Sequence, residues 1–297
     1  MNGILPLWKP KGMTSHDCVM KIRTIFGTKK VGHTGTLDPE VEGVLGICIG
    51  EGTKLVPYLT KGSKTYIAEV TLGSATETED AYGKIVHQQP VTRSISKQEI
   101  QEALQQFVGE IKQIPPMYSA IRVNGKRLYE YARANEYVKR PERIVHITSI
   151  IMQGEYDEAN TCFSMEVTCS QGTYIRTLCV DIGKMLGYPA HMSSLVRTEA
   201  SSFTKEEAIS FSELTSVKEN GELDTCLYPL LRGIEAMEQV EVDASTQKKV
   251  YHGNKLPIPP AVRTFPFAYV REGQLLAIYE KHPTEHGIGK PVRVFNF

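Results

Sequence analysis

One loop of the sequence holds a carboxylate in an unusually constrained setting. Residues 32–39 read Gly-His-Thr-Gly-Thr-Leu-Asp-Pro, and Asp38 stands directly before Pro39. Because proline fixes its own φ and crowds the residue before it, we expect an extended backbone at Asp38, on a strand or in a loop. Gly32 and Gly35 have no Cβ atom and let the chain turn sharply or lie close to a ligand. The Asp38 carboxylate is therefore the main candidate for nucleophilic attack or proton transfer, with an Asx-turn or a helix N-cap as the structural alternative.

The glycine pattern elsewhere does not support two common nucleotide-binding motifs. The Gly-Glu-Gly run at residues 50–52 follows an apolar segment but continues with Thr-Lys-Leu, where a dinucleotide fingerprint needs a third glycine. No Gly-Lys-Ser or Gly-Lys-Thr stands at the spacing of a phosphate-binding P-loop. The sequence predicts neither site.

The constrained loop is one of several segments that occur together in a known enzyme family. With residues 9–15 (Lys-Pro-Lys-Gly-Met-Thr-Ser) it resembles the bacterial tRNA pseudouridine synthases that act on the T-loop uridine at tRNA position 55. The resemblance continues in order and spacing as far as Thr198. Its further segments are Lys64-Thr65-Tyr66, residues 113–120 (Gln-Ile-Pro-Pro-Met-Tyr-Ser-Ala), residues 172–177 (Gly-Thr-Tyr-Ile-Arg-Thr), Leu195 and Arg197-Thr198.

The resemblance implies a role for each matching residue. Arg176 matches the family arginine that pairs with the catalytic aspartate, and Tyr66 matches the tyrosine that stacks on the flipped uracil. His33 matches the residue that fills the space left by that base. Without the resemblance, these side chains are also explained as a surface ion pair, a core aromatic and a structural histidine. The catalytic candidates are Asp38, Tyr66 and Arg176, and the substrate-binding candidates are His33, Tyr174, Leu195, Lys9, Lys11, Lys126 and Arg127.

Three positions depart from the family pattern. Arg122 stands where the family usually has lysine, Asn135 where it usually has glycine, and Val196 where a second arginine often precedes Arg197. These positions concern RNA contacts more than the chemistry.

The reaction that the resemblance implies indicates which cofactors the protein needs. Pseudouridylation breaks the C1′–N1 bond, turns the base and joins C1′ to C5, with neither a redox step nor net hydrolysis. We therefore expect no cofactor, and no metal cluster is recognisable in the sequence. A carboxylate buried beneath uracil would be driven to protonate, so it needs a cationic partner such as an arginine. The target uridine must also leave its stack, at a cost of a few kcal/mol.

Charge distribution points to a nucleic-acid partner although the net charge does not. The 34 basic and 34 acidic residues cancel. Residues 1–37 nevertheless hold six Lys or Arg against one Asp, and residues 112–143 hold eight against three Glu, with tyrosines interleaved. That mixture is typical of phosphate neutralisation and base stacking, and solvated helix faces are the alternative. The family resemblance implies tRNA, bound through its T stem-loop, as the partner, and we expect no obligate protein partner.

The cysteines and the apolar segments indicate the cellular compartment of the protein. The six cysteines include no Cys-x-x-Cys pair and no zinc spacing, which favours reduced thiols. The apolar run at residues 4–8 is too short for a signal-peptide core, and no stretch approaches a membrane span. We expect a cytoplasmic protein without a membrane partner.

The elements that must position these side chains follow from periodicity. The spacing predicts helices from Thr14 or Ser15 to Gly27, from a capping box at Ser96 and Glu99 to Gly109, and from Ile175 to Gly187. Alternation predicts strands at residues 64–72 and 163–169, and the tail is β-rich with one short helix.

Irregular succession of these elements favours an α+β architecture. The resemblance implies a pseudouridine-synthase-like mixed, largely antiparallel sheet flanked by helices. Residues 287–295 resemble the end of a PUA-like module, so we expect a catalytic domain at residues 1–239 and a PUA-like RNA-binding domain at residues 240–297.

Two other functions compete with isomerisation. A non-catalytic tRNA-binding or tRNA-folding protein would need the basic segments but not Asp38. A hydrolase using Asp38 as nucleophile lacks an evident second carboxylate at a defined spacing.

Overall fold

The structure, a computed structural model, describes residues 1–296. Two compact units divide the chain. The first combines Met1–Glu40, Val44–Lys61 and the described residues from Ser201 onward, and the second combines Val41–Gly43 with Gly62–Ala200.

The strands are numbered in chain order. They are β1 Gly3–Lys9, β2 Val31–His33, β3 Glu42–Ile49, β4 Lys64–Leu72, β5 Ser74–Thr76, β6 Ile85–Gln88, β7 Gly109–Gln113, β8 Arg122–Val123, β9 Lys126–Arg127, β10 Arg143–Asp157, β11 Cys162–Cys169, β12 Ala190–Ala200, β13 Phe203–Thr204, β14 Glu238–Glu241, β15 Leu256–Pro257, β16 Phe267–Arg271, β17 Gln274–Lys281 and β18 Ile288–Val294.

The α-helices are numbered in the same way. They are α1 Ser15–Phe26, α2 Val56–Leu59, α3 Lys97–Gln105, α4 Leu128–Ala134, α5 Ile175–Met185, α6 Phe211–Glu219 and α7 Ala244–Tyr251. Short 3-10 helices lie at Gly50–Leu55, Lys205–Glu207, Leu223–Cys226 and Leu230–Ile234.

Helix α1 of the first unit has the ends that its sequence predicts. Thr14 and Asp17 form a reciprocal capping box, and Gly27 ends the helix in the left-handed region at φ 62°. The buried side of the helix, which includes Val19 and Ile22, packs into a core with residues of β1 and β3. Strand β3 pairs with β2 in antiparallel register and neighbours β1.

The second unit is built on an antiparallel sheet with the strand order β12-β4-β11-β10-β7. The alternation predicted for residues 64–72 and 163–169 is confirmed, because Ala68, Val70 and Met165 are buried on one face. Helix α5 packs against β4 and β12. Glu42 and Gly43, at the start of β3, pair in parallel with Val196 and Arg197 of β12. The sheets are thus mixed and largely antiparallel, and the predicted α+β class is confirmed.

Helix α3 ends earlier than its apolar spacing predicts. It stops at Gln105, and Gly109, with φ 98°, already begins β7, so the prediction of a helix to Gly109 is wrong. Only one of the two contacts of the predicted capping box forms. The Ser96 side chain accepts from the Glu99 N–H, but the Glu99 carboxylate accepts hydrogen bonds from Arg93 instead. Periodicity alone did not reveal that the chain must turn into an edge strand here.

The tail forms a five-stranded sheet in the order β14-β16-β17-β18-β15, and α7 contacts β17 and β18. Its core is rich in aromatic rings, among them Phe267, Tyr269 and Tyr279. The predicted β-rich character is confirmed. The domain boundary at residues 239 and 240 and the PUA likeness of this sheet stay predictions.

Candidate active site

The Asp38 loop connects β2 to β3 and is anchored on both sides of the carboxylate. The carbonyl of Pro39 accepts hydrogen bonds from Lys9 Nζ at 3.1 Å and from the Gly12 N–H at 2.9 Å. On the other side, the Leu37 N–H donates to Ser15 Oγ at 2.9 Å. Asp38 itself is half-buried in non-helical backbone, as predicted. A buried side chain and a helix start thus fix the backbone that presents this carboxylate.

Two of the predicted RNA-contacting lysines differ sharply in exposure. Lys11 is exposed. Lys9 is fully buried, and its Nζ donates to the carbonyls of Pro10 and Pro39. A direct phosphate contact by Lys9 does not fit this burial, because the ammonium group instead donates to the Pro39 carbonyl of the Asp38 loop. The short sequence pattern could not distinguish a lysine that binds phosphate from one that binds this loop.

His33 ends β2 and is half-buried. The Gly35 N–H lies 3.4 Å from His33 Nδ1, so the ring faces the turn that leads toward Asp38. Its role with the substrate stays a prediction.

Tyr66 and Leu195 lie on the same face of the sheet in the second unit. In the register of β4 with β12, Tyr66 is opposite Arg197 and Leu195 is opposite Ala68. Residues directly opposite one another in an antiparallel pair share a face, and so do residues two apart along a strand. Both side chains are largely buried. The structure therefore brings these two predicted site residues to one face of the sheet, which also carries the buried Arg197.

Arg176 lies in the first turn of α5 and is 5% exposed. Its Nη1 donates to the carbonyl of Thr78 at 2.9 Å and its Nη2 donates to the carbonyl of Tyr118 at 3.1 Å. Asp80 Oδ2 stands 3.9 Å from Nη1. A buried guanidinium held by two carbonyls and a nearby carboxylate has a fixed orientation, unlike a surface ion pair.

Tyr174 stands directly before α5, between two guanidinium groups. The centre of its ring is 5.2 Å from the Arg143 guanidinium and 6.0 Å from that of Arg176. The side-chain amide of Gln113 hydrogen-bonds both the N–H and the carbonyl of Tyr174. The sequence analysis assigned no role to Gln113. It could have been noticed because it begins residues 113–120, one of the segments that carry the family resemblance.

The sequence analysis also missed two ionisable groups in the second unit, the half-buried Glu79 and the buried Lys64. Glu79 has φ 65° and accepts a hydrogen bond from Thr177 Oγ1 at 2.6 Å, and burial raises the pKa of its carboxyl. Burial, with a smaller contribution from the nearby Arg197 guanidinium, lowers the pKa of Lys64 to about 8. Lys64 Nζ donates to the carbonyl of Gly62 at 2.6 Å. Lys64 stands two positions before Tyr66, and Thr177, the partner of Glu79, directly follows Arg176.

The basic segment forms a small hairpin, β8 with β9, that leads into α4. Lys126 and Arg127 are exposed there, as RNA contacts require. Arg127 Nη1 donates to the Tyr129 hydroxyl at 2.8 Å, and the Arg133 guanidinium lies 5.3 Å from the centre of the Tyr129 ring. The arginines therefore flank an aromatic ring, an arrangement that suits stacking on bases.

One of the three family departures, Asn135, has a local explanation. Asn135 ends α4 at φ 52°, a left-handed conformation that asparagine tolerates better than most residues other than glycine. Arg122 is exposed and pairs with Arg127 across the hairpin. Nothing in the structure explains Val196.

Within residues 1–296, no group of three or more His, Cys, Asp or Glu side chains could hold a metal ion. No helix in that part of the chain is long and apolar enough to cross a membrane.

Comparison with known proteins agrees with the composition of this site. Residues 23–175 match the family described as TruB family pseudouridylate synthase (N terminal domain), and residues 176–237 match the tRNA pseudouridylate synthase B C-terminal domain. The chain belongs to the TruB family of pseudouridylate synthases.

Full-length relatives support this membership. The chain is 54% identical to tRNA pseudouridine synthase B of Oceanobacillus iheyensis, over 99% of this chain and 98% of that protein. It is 51% identical to the protein of the same name from Listeria innocua, with the same coverage. Among solved structures, a chain in the crystal structure of a Cbf5-Nop10-Gar1 complex aligns with a TM-score of 0.76 and 28% identity, covering 99% of this TruB-family chain and 84% of that one.

Proposed function

We propose that this TruB-family chain isomerises the T-loop uridine at position 55 of tRNA to pseudouridine. The observation that carries the proposal is the Asp38 loop, in which the residues on both sides of the carboxylate are tied to buried or helix-starting side chains. Similarity over 99% of the chain to two proteins named tRNA pseudouridine synthase B supports the same reaction and substrate.

Asp38 supplies the chemical group. Its carboxylate takes part in the exchange of the C1′–N1 bond for a C1′–C5 bond, as a nucleophile or a proton-transfer group. Arg176 supplies the cation that keeps this carboxylate ionised beneath an apolar base. The buried, hydrogen-bonded setting of Arg176 supports a fixed role of this kind.

The remaining candidates bind the substrate. Tyr66 stacks on the flipped uracil, and Leu195 lies on the same face of the sheet and lines the base pocket. His33 takes the place of the base in its stack. Tyr174 supports Arg176 or the base. Lys11, Lys126 and Arg127 contact phosphates, whereas Lys9 acts through the Pro39 carbonyl. The reaction takes place in the cytoplasm, and residues 240–297 add RNA contacts as a PUA-like domain.

Asp38→Asn tests the catalytic proposal. Asparagine keeps the size and several hydrogen bonds of the side chain but lacks its negative charge and nucleophilicity. We expect tritium release from C5-labelled uridine in a T-stem-loop RNA to fall to the detection limit, while circular dichroism and RNA affinity stay near wild type. The matched control is Asp17→Asn, the same change in the capping box of α1, where activity should persist.

Two results would oppose the proposal. Near-normal tritium release by Asp38→Asn would exclude Asp38 as the catalytic group, because asparagine lacks the charge that the reaction needs. It would favour a capping role, since asparagine caps turns about as well as aspartate. RNA binding without pseudouridine in the wild-type product would instead favour the non-catalytic tRNA-binding function.

A further inference from the structure

A buried glutamine holds the chain at the point where it enters α5. Gln113 is the last residue of β7 and is 1% exposed. Its Nε2 donates to the carbonyl of Tyr174 at 3.1 Å, and its Oε1 accepts from the N–H of Tyr174 at 3.0 Å. Both polar ends of one side-chain amide are thus paired with the main chain of a single residue.

This double contact requires a side chain that carries one donor and one acceptor. Strand β7 is the last strand of its sheet and pairs with β10, where Gln113 is opposite Arg143. Tyr174 makes no side-chain cap hydrogen bond at the start of α5, and its carbonyl also accepts from the Leu178 N–H at 3.0 Å, so Gln113 adds a contact from a distant segment to the main chain of this residue. A carboxylate only accepts hydrogen bonds and an ammonium only donates them, whereas an amide has one group of each kind at a fixed separation. Only one orientation of the Gln113 amide satisfies both atoms of Tyr174.

The same chain segment also holds Arg176. The Tyr118 carbonyl, five residues after Gln113, accepts a hydrogen bond from Arg176 Nη2 at 3.1 Å. The Tyr174 ring lies 6.0 Å from the Arg176 guanidinium. A shift of the Tyr174 main chain would therefore change the position of the first turn of α5, which carries Arg176.

We propose that Gln113 is a positioning residue for isomerisation, which fixes Tyr174 and, through it, the Arg176 guanidinium. The proposal rests on the proposed function, in which Tyr174 and Arg176 act on the substrate. Gln113 touches neither substrate nor reacting atoms. It sets the geometry of residues that do.

Gln113→Glu makes this role visible as a pH dependence. When protonated, the introduced carboxyl has one donor and one acceptor and reproduces both contacts. When ionised, it has acceptors only, so the Tyr174 carbonyl loses its side-chain donor, faces a carboxylate oxygen in its place, and keeps only its helical contact with the Leu178 N–H at 3.0 Å. The charged and titratable groups around this segment include Arg143, Arg176 and Asp80, which stands 3.9 Å from Arg176. They also include Arg140, whose Nη1 donates to the Pro115 carbonyl, and Glu79, bonded to Thr177. Wild type and variant share them, so the ratio of the two kcat values isolates residue 113.

We expect kcat for tritium release by Gln113→Glu to approach wild type at pH 5.5 and to fall by about 100-fold at pH 8.5, the loss typical of a misplaced reacting group. The KM for T-stem-loop RNA should stay within about threefold of wild type. Gln113→Met, which matches the size and lacks both hydrogen bonds, should be slow at every pH. Gln105→Glu, the same change at an exposed position of α3, is the control and should give a flat ratio.

A pH-independent kcat ratio for Gln113→Glu, or wild-type kcat in Gln113→Met, would overturn the proposal. If one variant fails to fold by circular dichroism, the other decides. If both unfold, Gln113 is a residue of general stability and the positioning role is again overturned. Absence of tritium release from the wild-type enzyme would contradict the proposed function instead, so the two failures are distinguishable.

Discussion

At the scale of single residues, burial decides what a charged side chain does in this protein. Lys9 and Lys11 are two positions apart in one motif, yet Lys9 is fully buried against carbonyls and Lys11 is exposed. Arg176 and Lys64 are likewise buried. A buried cation is costly unless polar atoms surround it, so each of these groups is tied to backbone carbonyls.

Lys64 gives a prediction about stability. Its pKa is lowered from the ordinary 10.5 to about 8, so the folded protein releases this proton before the unfolded chain does. Between about pH 8 and pH 9.5 the unfolded chain binds more protons, and this group makes the free energy of unfolding rise with pH by up to about 1.4 kcal/mol per unit. Well below pH 8 both states are charged and the contribution is constant.

Lys64→Met removes this contribution. The free energy of unfolding of the wild type minus that of Lys64→Met should become more positive from pH 8 to pH 9.5, as measured by urea denaturation at each pH. Other titrating groups, including the buried thiols, are common to both proteins and largely cancel. The increase should exceed the one measured for Lys184→Met, a matched change at an exposed position of α5. A constant difference would mean that the Lys64 ammonium is not desolvated.

At the scale of elements, the β8–β9 hairpin and α4 form the best-defined RNA-binding candidate. Lys126 and Arg127 are exposed, but Glu136 Oε2 lies 3.0 Å from Lys126 Nζ and competes for its charge. This contact raises the pKa of Lys126 and holds the ammonium group at the surface.

Neutralising Lys126 and Arg127 together to glutamine should weaken T-stem-loop binding. It should also reduce the slope of log affinity against log salt by about one to two, one phosphate contact for each lost charge. Glu136→Gln is a control of opposite sign, because it frees Lys126 and should preserve or strengthen binding. An unchanged salt slope in the double variant would exclude this hairpin from the RNA interface.

Local elements were predictable where the signal lies within one segment. The capping box of α1 and the alternation of β4 needed only neighbouring residues. The end of α3 was not predictable in this way, since its apolar spacing continues past Gln105 although the chain has to enter β7. Competition with the sheet, not helix propensity, ended that helix.

At the scale of the whole molecule, the tail is tied to the rest of its unit by a few polar contacts. Lys54 Nζ donates to the Val294 carbonyl at 2.6 Å, and the Asn296 N–H donates to Glu51 at 3.2 Å. The 3-10 helix Leu230–Ile234 contacts β17. The first strand of the tail sheet begins at Glu238, so Met237 is the natural end point for a truncated chain.

A chain ending at Met237 should remain folded with a Tm lower by several degrees, because each lost hydrogen bond contributes about 1 kcal/mol. RNA affinity should fall, whereas kcat at saturating RNA should stay near wild type. A folded truncated protein that binds RNA but does not turn over at saturation would show that the tail supplies part of the chemistry.

The sequence by itself determined the chemical inventory and the family: the loop with Asp38, the aromatic and basic residues, and the periodicity of the main strands and helices. These features depend on backbone preferences and side-chain types within a few residues of one another. The tertiary structure decided which groups are buried and which distant atoms are paired. Gln113 contacts Tyr174 across a separation of 61 residues and Arg176 contacts Thr78 across 98, so neither hydrogen bond has a local signature. Their partners are selected only when the strands and α5 have packed, because desolvation then requires every enclosed polar group to find a partner.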